Sequence, residues 1–184
     1  DAAAILTDGG SSALTAETIR LGNYENGRRA ASSASTTTGV LAVNARQLEL
    51  AGKLNLEGMA RAELKGTEEI RLAGLSRGAA RPRGELNTAA DLVFHGAVVA
   101  PTTYTQYSIL APSKNVTFTR NTDAPVQPLA ALGSLMVEAQ DIVQDGNIWA
   151  PFGQIDLQAS NSLVFKDGSL TSVAAAPGSL IPFG

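Results

Sequence analysis

Residues 135–180 read LMVEAQDIVQDGNIWAPFGQIDLQASNSLVFKDGSLTSVAAAPGSL, and one unit of three short apolar segments occurs in them twice. Leu135-Met136-Val137, Ile142-Val143 and Ile148-Trp149 are followed by Ile155-Asp156-Leu157, Leu163-Val164-Phe165 and Leu170 to Val173. The spacings are 20 residues from Leu135 to Ile155, 21 from Ile142 to Leu163 and 22 from Ile148 to Leu170. The turn Asp145-Gly146 returns 22 residues later as Asp167-Gly168. A strand of three or four residues forms no stable sheet by itself. Stacked on its own copy one unit later, it gains a parallel neighbour, and its apolar residue lies over the equivalent one below. Three strands in a period of about 20 residues predict an all-β parallel β-helix, a single-stranded solenoid of triangular coils. Asp-Gly pairs supply the turns, because Gly accepts positive φ and Asp bonds its own backbone.

Composition agrees with a narrow interior. Hydrophobic residues make up 44 % of the 184-residue chain, but aromatics only 5 %. The apolar content is therefore Ala, Leu, Val and Ile, which stack in columns. Net charge is −3. Residues 1–92 balance 11 basic against 11 acidic groups, and residues 93–184 carry 3 against 6. No basic stripe exists for nucleic acid. The absence of Cys excludes a disulfide framework and thiolate metal sites. No apolar run is long enough for a transmembrane helix, and Asp1-Ala2-Ala3-Ala4-Ile5-Leu6 lacks the basic start of a signal peptide. One domain, residues 1–184, is expected, as a segment of a longer protein.

Residues 1–22 contain the apolar runs Ala4-Ile5-Leu6 and Ile19-Arg20-Leu21. Residues 23–39 are rich in Ser, Thr, Gly and Ala and show no core-facing pattern, which predicts a loop excursion. Five triplets follow: Leu41-Ala42-Val43, Leu48-Glu49-Leu50, Leu54-Asn55-Leu56, Ala62-Glu63-Leu64 and Ile70-Arg71-Leu72. Period-2 alternation puts the outer residues of each on one buried face. Glycines 52, 58, 66 and 74 fall between or beside triplets, where turns are needed, and they oppose a helix, since each costs one about 1 kcal/mol. A second excursion is predicted over 75–90 and a third, Pro-rich, over 121–131. Between them, Leu92-Val93-Phe94 starts a strand 22 residues after Ile70, and Val98-Val99, Tyr107-Ser108-Ile109 and Val116-Thr117-Phe118 continue the pattern. Seven or eight coils of about 22 residues, each rising about 4.8 Å, make a rod roughly 35 Å long.

Three phrases at the end of the chain carry a family resemblance: Ala150-Pro151-Phe152-Gly153, Gly168-Ser169-Leu170-Thr171-Ser172-Val173 and Ile181-Pro182-Phe183-Gly184. With residues 90–121, they resemble the C-terminal region of filamentous-haemagglutinin-type exoproteins. The resemblance covers about half of the chain and rests on Gly, Leu and Val patterns. It implies a right-handed β-helix, export of the parent protein by two-partner secretion through a dedicated outer-membrane transporter, and a place on the bacterial surface or outside the cell. It implies non-enzymatic adhesion to glycans or proteins of host-cell or bacterial surfaces. No cofactor and no nucleic acid are expected, and the uncovered coil ends predict end-to-end self-association.

Candidate chemistry is sparse, and no catalytic or metal-binding residue is assigned. The single histidine, His95, has no nucleophile motif beside it and reads as a strand-end residue next to a turn. Pectin-degrading β-helices work with carboxylates on one face, so Asp141, Asp145, Asp156 and Asp167 are the residues to test. A glycosidase needs two carboxyls about 5–9.5 Å apart, and Asp145 and Asp167 come near that if their turns stack. The Gly after each is explained by turn geometry alone. Arg71, Arg77, Arg81 and Arg83 could hold an anionic glycan, but Glu68, Glu69 and Glu85 lie among them and predict a neutralised surface. Tyr104, Tyr107 and Trp149 could stack on sugar rings, although packing is the commoner fate of strand aromatics. Two rivals to the adhesin are a polysaccharide lyase or hydrolase on a β-helix, and the shaft of a contact-dependent polymorphic toxin. The three excursions are the expected places for any specific contact.

Overall fold

The structure is a computed structural model that describes residues 4–7, 9–23, 38–76, 78, 80–121 and 126–175. The described residues form twelve strands and no helix: β1 (Ala4–Leu6), β2 (Ser12–Asn23), β3 (Gly39–Glu57), β4 (Met59–Ala73), β5 (Arg83–Thr88), β6 (Asp91–Gly96), β7 (Val99–Pro101), β8 (Gln106–Arg120), β9 (Ser134–Asp145), β10 (Asn147–Trp149), β11 (Gln154–Phe165) and β12 (Leu170–Ser172). Many are longer than the predicted triplets, because the chain bends without leaving the sheet. β3 alone holds three triplets. Its register against β4 shifts between Ala45 and Gln47, and a bulge of this kind turns a strand while preserving its pairing. Its second bend is at Gly52, whose φ of 66° excludes most side chains.

Every pairing between named strands is parallel, and together they make three ladders. The first joins β2, β3, β4, β6, β8, β9 and β11, through Ser12↔Leu41↔Ala62↔Leu92↔Val116↔Ile142↔Leu163. The second joins β2, β3, β4, β7, β10 and β12, through Ile19↔Leu48↔Ile70↔Val99↔Ile148↔Thr171. The third joins β3, β5, β8, β9 and β11, through Leu54↔Leu86↔Ile109↔Val137↔Leu157, with β1 on the outer side of β3. The chain visits the ladders in turn, so each circuit pairs with the one before it and the one after.

The circuits explain the excursions. Within 75–90 the prediction is corrected, since Arg83–Thr88 is the strand β5. Its inward positions are Gly84, Leu86 and Thr88, and only Leu86 announces a core residue. The irregular part is shorter and is closed by an antiparallel bridge between Leu75 and Arg83. Of residues 121–131, positions 122–125 lie outside the described residues. The described flanks contain no second-ladder strand, and β10 pairs directly with β7. Of residues 23–39, positions 24–37 lie outside the described residues, while Asn23 belongs to β2 and Gly39 to β3.

Two predicted pairings shift. Leu92 lies beside Ala62, and Ile70 pairs with Val99. The insertion before β5 delays the next circuit, and an apolar alternation suits any of the three ladders. Leu170 faces Asn147, so Ile148 pairs with Thr171.

The core is the inward column of each ladder. The outer residues of all five triplets between 41 and 72 are buried. Each such Leu, Ile or Val contributes about 1.5–3 kcal/mol by leaving water. In the first ladder Val43, Leu64, Phe94, Phe118 and Gln144 lie one above another. The Phe94 and Phe118 rings stack with centroids 5.1 Å apart. Gln144 is fully buried, and its amide donates to the Leu170 carbonyl at 2.9 Å and to Thr171 Oγ1 at 3.0 Å. A buried polar group bonded in this way ties β9 to β12.

Candidate functional site

One corner of the circuits is built from residues whose backbone an L-amino acid rarely adopts. Tyr104, Leu132 and Phe152 have φ of 57°, 61° and 53°. Each such position costs roughly 1–3 kcal/mol and persists only where its surroundings hold it. Here the next circuit does. Tyr104 N–H donates to the Ala131 carbonyl at 2.8 Å, Leu132 N–H to Pro151 at 2.9 Å, and Phe152 N–H to Val173 at 2.8 Å. The three corners therefore stack, and their side chains are 52 %, 40 % and 54 % exposed.

A fourth residue completes the column. Gln106 lies between Arg83 and Ser134, and Ser134 between Gln106 and Gln154. Two positions before these four stand Arg81, Tyr104, Leu132 and Phe152. Arg81 turns along the column: Nε donates to the Tyr104 carbonyl at 3.0 Å and one Nη to that of Leu132 at 2.6 Å. Its guanidinium also lies over the Tyr104 ring, 5.0 Å from the centroid. A cation over an aromatic face is attracted by the ring quadrupole. The second Nη has no acceptor among the described residues.

This corner opens into two connected depressions. A cleft of about 270 Å³ is lined by Arg81, Tyr104, Leu132, Phe152, Ser134 and Gln154. The last two also line a groove of about 510 Å³ along the outward face of the third ladder. In the groove Lys53, Glu85, Ser108, Met136 and Asp156 follow one another in register. Lys53 neutralises Glu85 at 2.8 Å. Arg83 stands on the groove edge, and no carboxylate pairs with it among the described residues.

Three of the predicted carboxylates, Asp141, Asp145 and Asp156, are engaged by neighbouring side chains. Arg120 binds the Asp145 carboxylate at 3.1 Å and donates to the Asp167 carbonyl at 3.1 Å. The two turns are thus brought together around a guanidinium. The Asp141 carboxylate accepts from Ser162 Oγ at 2.6 Å and Asn161 Nδ2 at 2.7 Å, and these bonds hold its pKa below the usual range. Asp156 accepts from Gln158 at 2.7 Å. Among the described residues no three of His, Cys, Asp and Glu cluster as metal ligands.

His95 is the next-to-last residue of β6, where Nδ1 is 2.8 Å from Thr119 Oγ1. The Thr119 hydroxyl also donates to the Phe94 carbonyl at 3.1 Å, beside the His95 imidazole. Burial, and then Lys65, lower its pKa. Arg71 lies 3.9 Å from Glu49, and Arg46 pairs with Glu17 and Glu68. Burial, opposed by Arg71 and reinforced by Glu49 and Glu68, raises the pKa of Glu69. Arg77 lies outside the described residues. Among the aromatics, Tyr107 is buried, and Trp149 packs with Val98 and Ala100 while its Nε1 donates to the Ala174 carbonyl at 2.6 Å. Of the residues singled out in sequence, Arg81 and Tyr104 meet at the corner. Leu132 and Phe152 were missed. Their signal is a recurring quartet of large, small, polar and apolar residues: Tyr104-Thr105-Gln106-Tyr107, Leu132-Gly133-Ser134-Leu135 and Phe152-Gly153-Gln154-Ile155.

No protein-family model matches the chain, and no curated protein or solved structure does.

Proposed function

We propose that the chain is a right-handed parallel β-helix and a non-enzymatic, adhesive segment of a large filamentous-haemagglutinin-like exoprotein. Its circuits are the coils of a rod that displays side chains along its outer faces. The observation that carries this reading is the ladder pattern: all pairings between named strands are parallel, and each ladder takes one strand from successive circuits. Such a stack is stiff and quasi-one-dimensional, and it presents long outer surfaces. The parent protein reaches the bacterial surface or the medium through a two-partner outer-membrane transporter, and the rod attaches to glycans or proteins of host-cell or bacterial surfaces.

Labelled chain applied to epithelial and bacterial cells tests the reading, with reducing-end release from cell-surface and plant polysaccharides followed in parallel. Saturable binding without release is expected. Release of reducing ends would replace it with a polysaccharide lyase or hydrolase and direct mutation to Asp145 and Asp167. Absence of binding overturns the adhesive role and leaves a spacer.

A further inference from the structure

We propose that the Arg81–Tyr104–Leu132–Phe152 corner and the groove beside it bind an acidic oligosaccharide, a glycan bearing carboxylate or sulfate groups. The inference rests on the adhesive reading and gives it a site. Three observations select this ligand. Tyr104 and Phe152 are large apolar side chains held outward by backbone hydrogen bonds that fix their positive φ. They are two ladder steps apart, about 10 Å, so each can meet the apolar face of a different sugar in one chain. Rigid exposed aromatics provide contact area at little cost in conformational entropy.

Charge supplies the second argument. Neither Arg81 nor Arg83 pairs with a carboxylate among the described residues, while Glu85 in the same groove is neutralised by Lys53. The Arg81 guanidinium lies over the Tyr104 ring, 5.0 Å from its centroid, so an anionic substituent on a sugar at this corner falls within its reach. Guanidinium groups bind carboxylate and sulfate oxygens through paired N–H donors. The third argument is continuity. Ser134 and Gln154 line both the cleft and the groove, and with Gln106 they form a polar row in register along the rod axis. Hydroxyls of a glycan laid along that axis meet one polar side chain per step.

Calorimetric titration of the 184-residue chain with three hexasaccharides tests the site: an oligogalacturonate, a heparin-derived hexasaccharide and neutral maltohexaose. At least one acidic ligand is expected to bind, at least tenfold more tightly than maltohexaose and more weakly as salt is raised. Which one binds separates carboxylate from sulfate recognition. Tyr104→Asn and Phe152→Asn are expected to lower that affinity tenfold or more. Asn tolerates positive φ, so both variants should melt at or above the temperature of the parent chain. Arg83→Gln, on the exposed groove edge, tests the same site without altering the corner and should also lose tenfold. Failure of both acidic ligands, equal binding of maltohexaose, or variants that bind like the parent overturns the site. Cell adhesion of the same variants separates this proposal from the one it rests on. Parent and variants adhering equally, with titrations that the variants leave unchanged, would remove the site and keep the adhesin. Variant-sensitive titration with no adhesion would do the reverse.

Discussion

Gly84 and Tyr107 face each other across β5 and β8, and together they show why a glycine stands inside a strand. A Cβ on Gly84 would come within 2.4 Å of the Tyr107 ring and 2.8 Å of the Ala73 carbonyl. The ring occupies the space that a side chain would need. Tyr107 is buried, its hydroxyl has no hydrogen-bond partner among the described residues, and burial followed by Glu85 pushes its pKa far up. Replacing Gly84 with Ala overpacks this point and is expected to cost roughly 1–3 kcal/mol, read as a lower urea midpoint. Tyr107→Leu in the same chain should recover part of that loss, because the two residues are directly coupled. An unchanged midpoint for Gly84→Ala would show that the ring moves aside freely. The same residue marks a limit of the sequence. Tyr107 was a candidate for sugar stacking by type, yet it alternates inward with Ile109 and Ala111. Tyr104, three positions earlier, lies at the corner and points out. Residue type named both, and only backbone phase separated them.

At the scale of elements, the triplets were legible because Leu, Ile and Val recur with a polar residue between them. Their buried faces follow from that alternation alone. The partners of each triplet were less legible, since a ladder is chosen by how many residues each circuit contains. The insertion before β5 and the absence of a second-ladder strand among the described residues near 121–131 change that count without changing any apolar pattern. β5 was hidden for another reason: two of its three inward positions are Gly84 and Thr88. The corner column escaped because three of its members need positive φ without being glycine, and such positions are set by hydrogen bonds from the next circuit. The direct pairing of β7 with β10 offers a test at this scale. Asn147 is buried, and its Nδ2 donates 2.9 Å to the carbonyl of Ala97, which lies just before β7. Asn147→Ala leaves that carbonyl unpaired, at an expected cost of about 1–3 kcal/mol. Hydrogen exchange should quicken in β7 and β10 and stay unchanged in β3 and β4. A uniform increase across the strands would mean that this pairing has no separate local stability.

For the whole molecule, the three ladders give two ends of different composition. Leu14 lies at one end of the first inward column and Phe165 at the other, with Val43, Leu64, Phe94, Phe118 and Gln144 between them. Leu6 and Leu14 are exposed at the first end, and Leu163, Val164 and Phe165 at the second. The outer edges of β2 and β11 have no strand partner among the described residues, and such edges are templates for pairing. Placing Phe165 of one molecule over Leu14 of the next continues the column. The two surfaces differ, so the contact is heterologous. Repeating it gives an open chain of molecules rather than a closed dimer. The prediction is an average mass that rises with concentration and passes the dimer, followed by light scattering on a sizing column. The contact is apolar, so the rise should survive moderate salt, which screens exposed charges. Phe165→Lys puts a charge into the join and should restore the monomer at every concentration while leaving the inner circuits folded. A parent chain that stays monomeric would show that its ends are closed. A dimer unaffected by Phe165→Lys would place the contact away from the two ends.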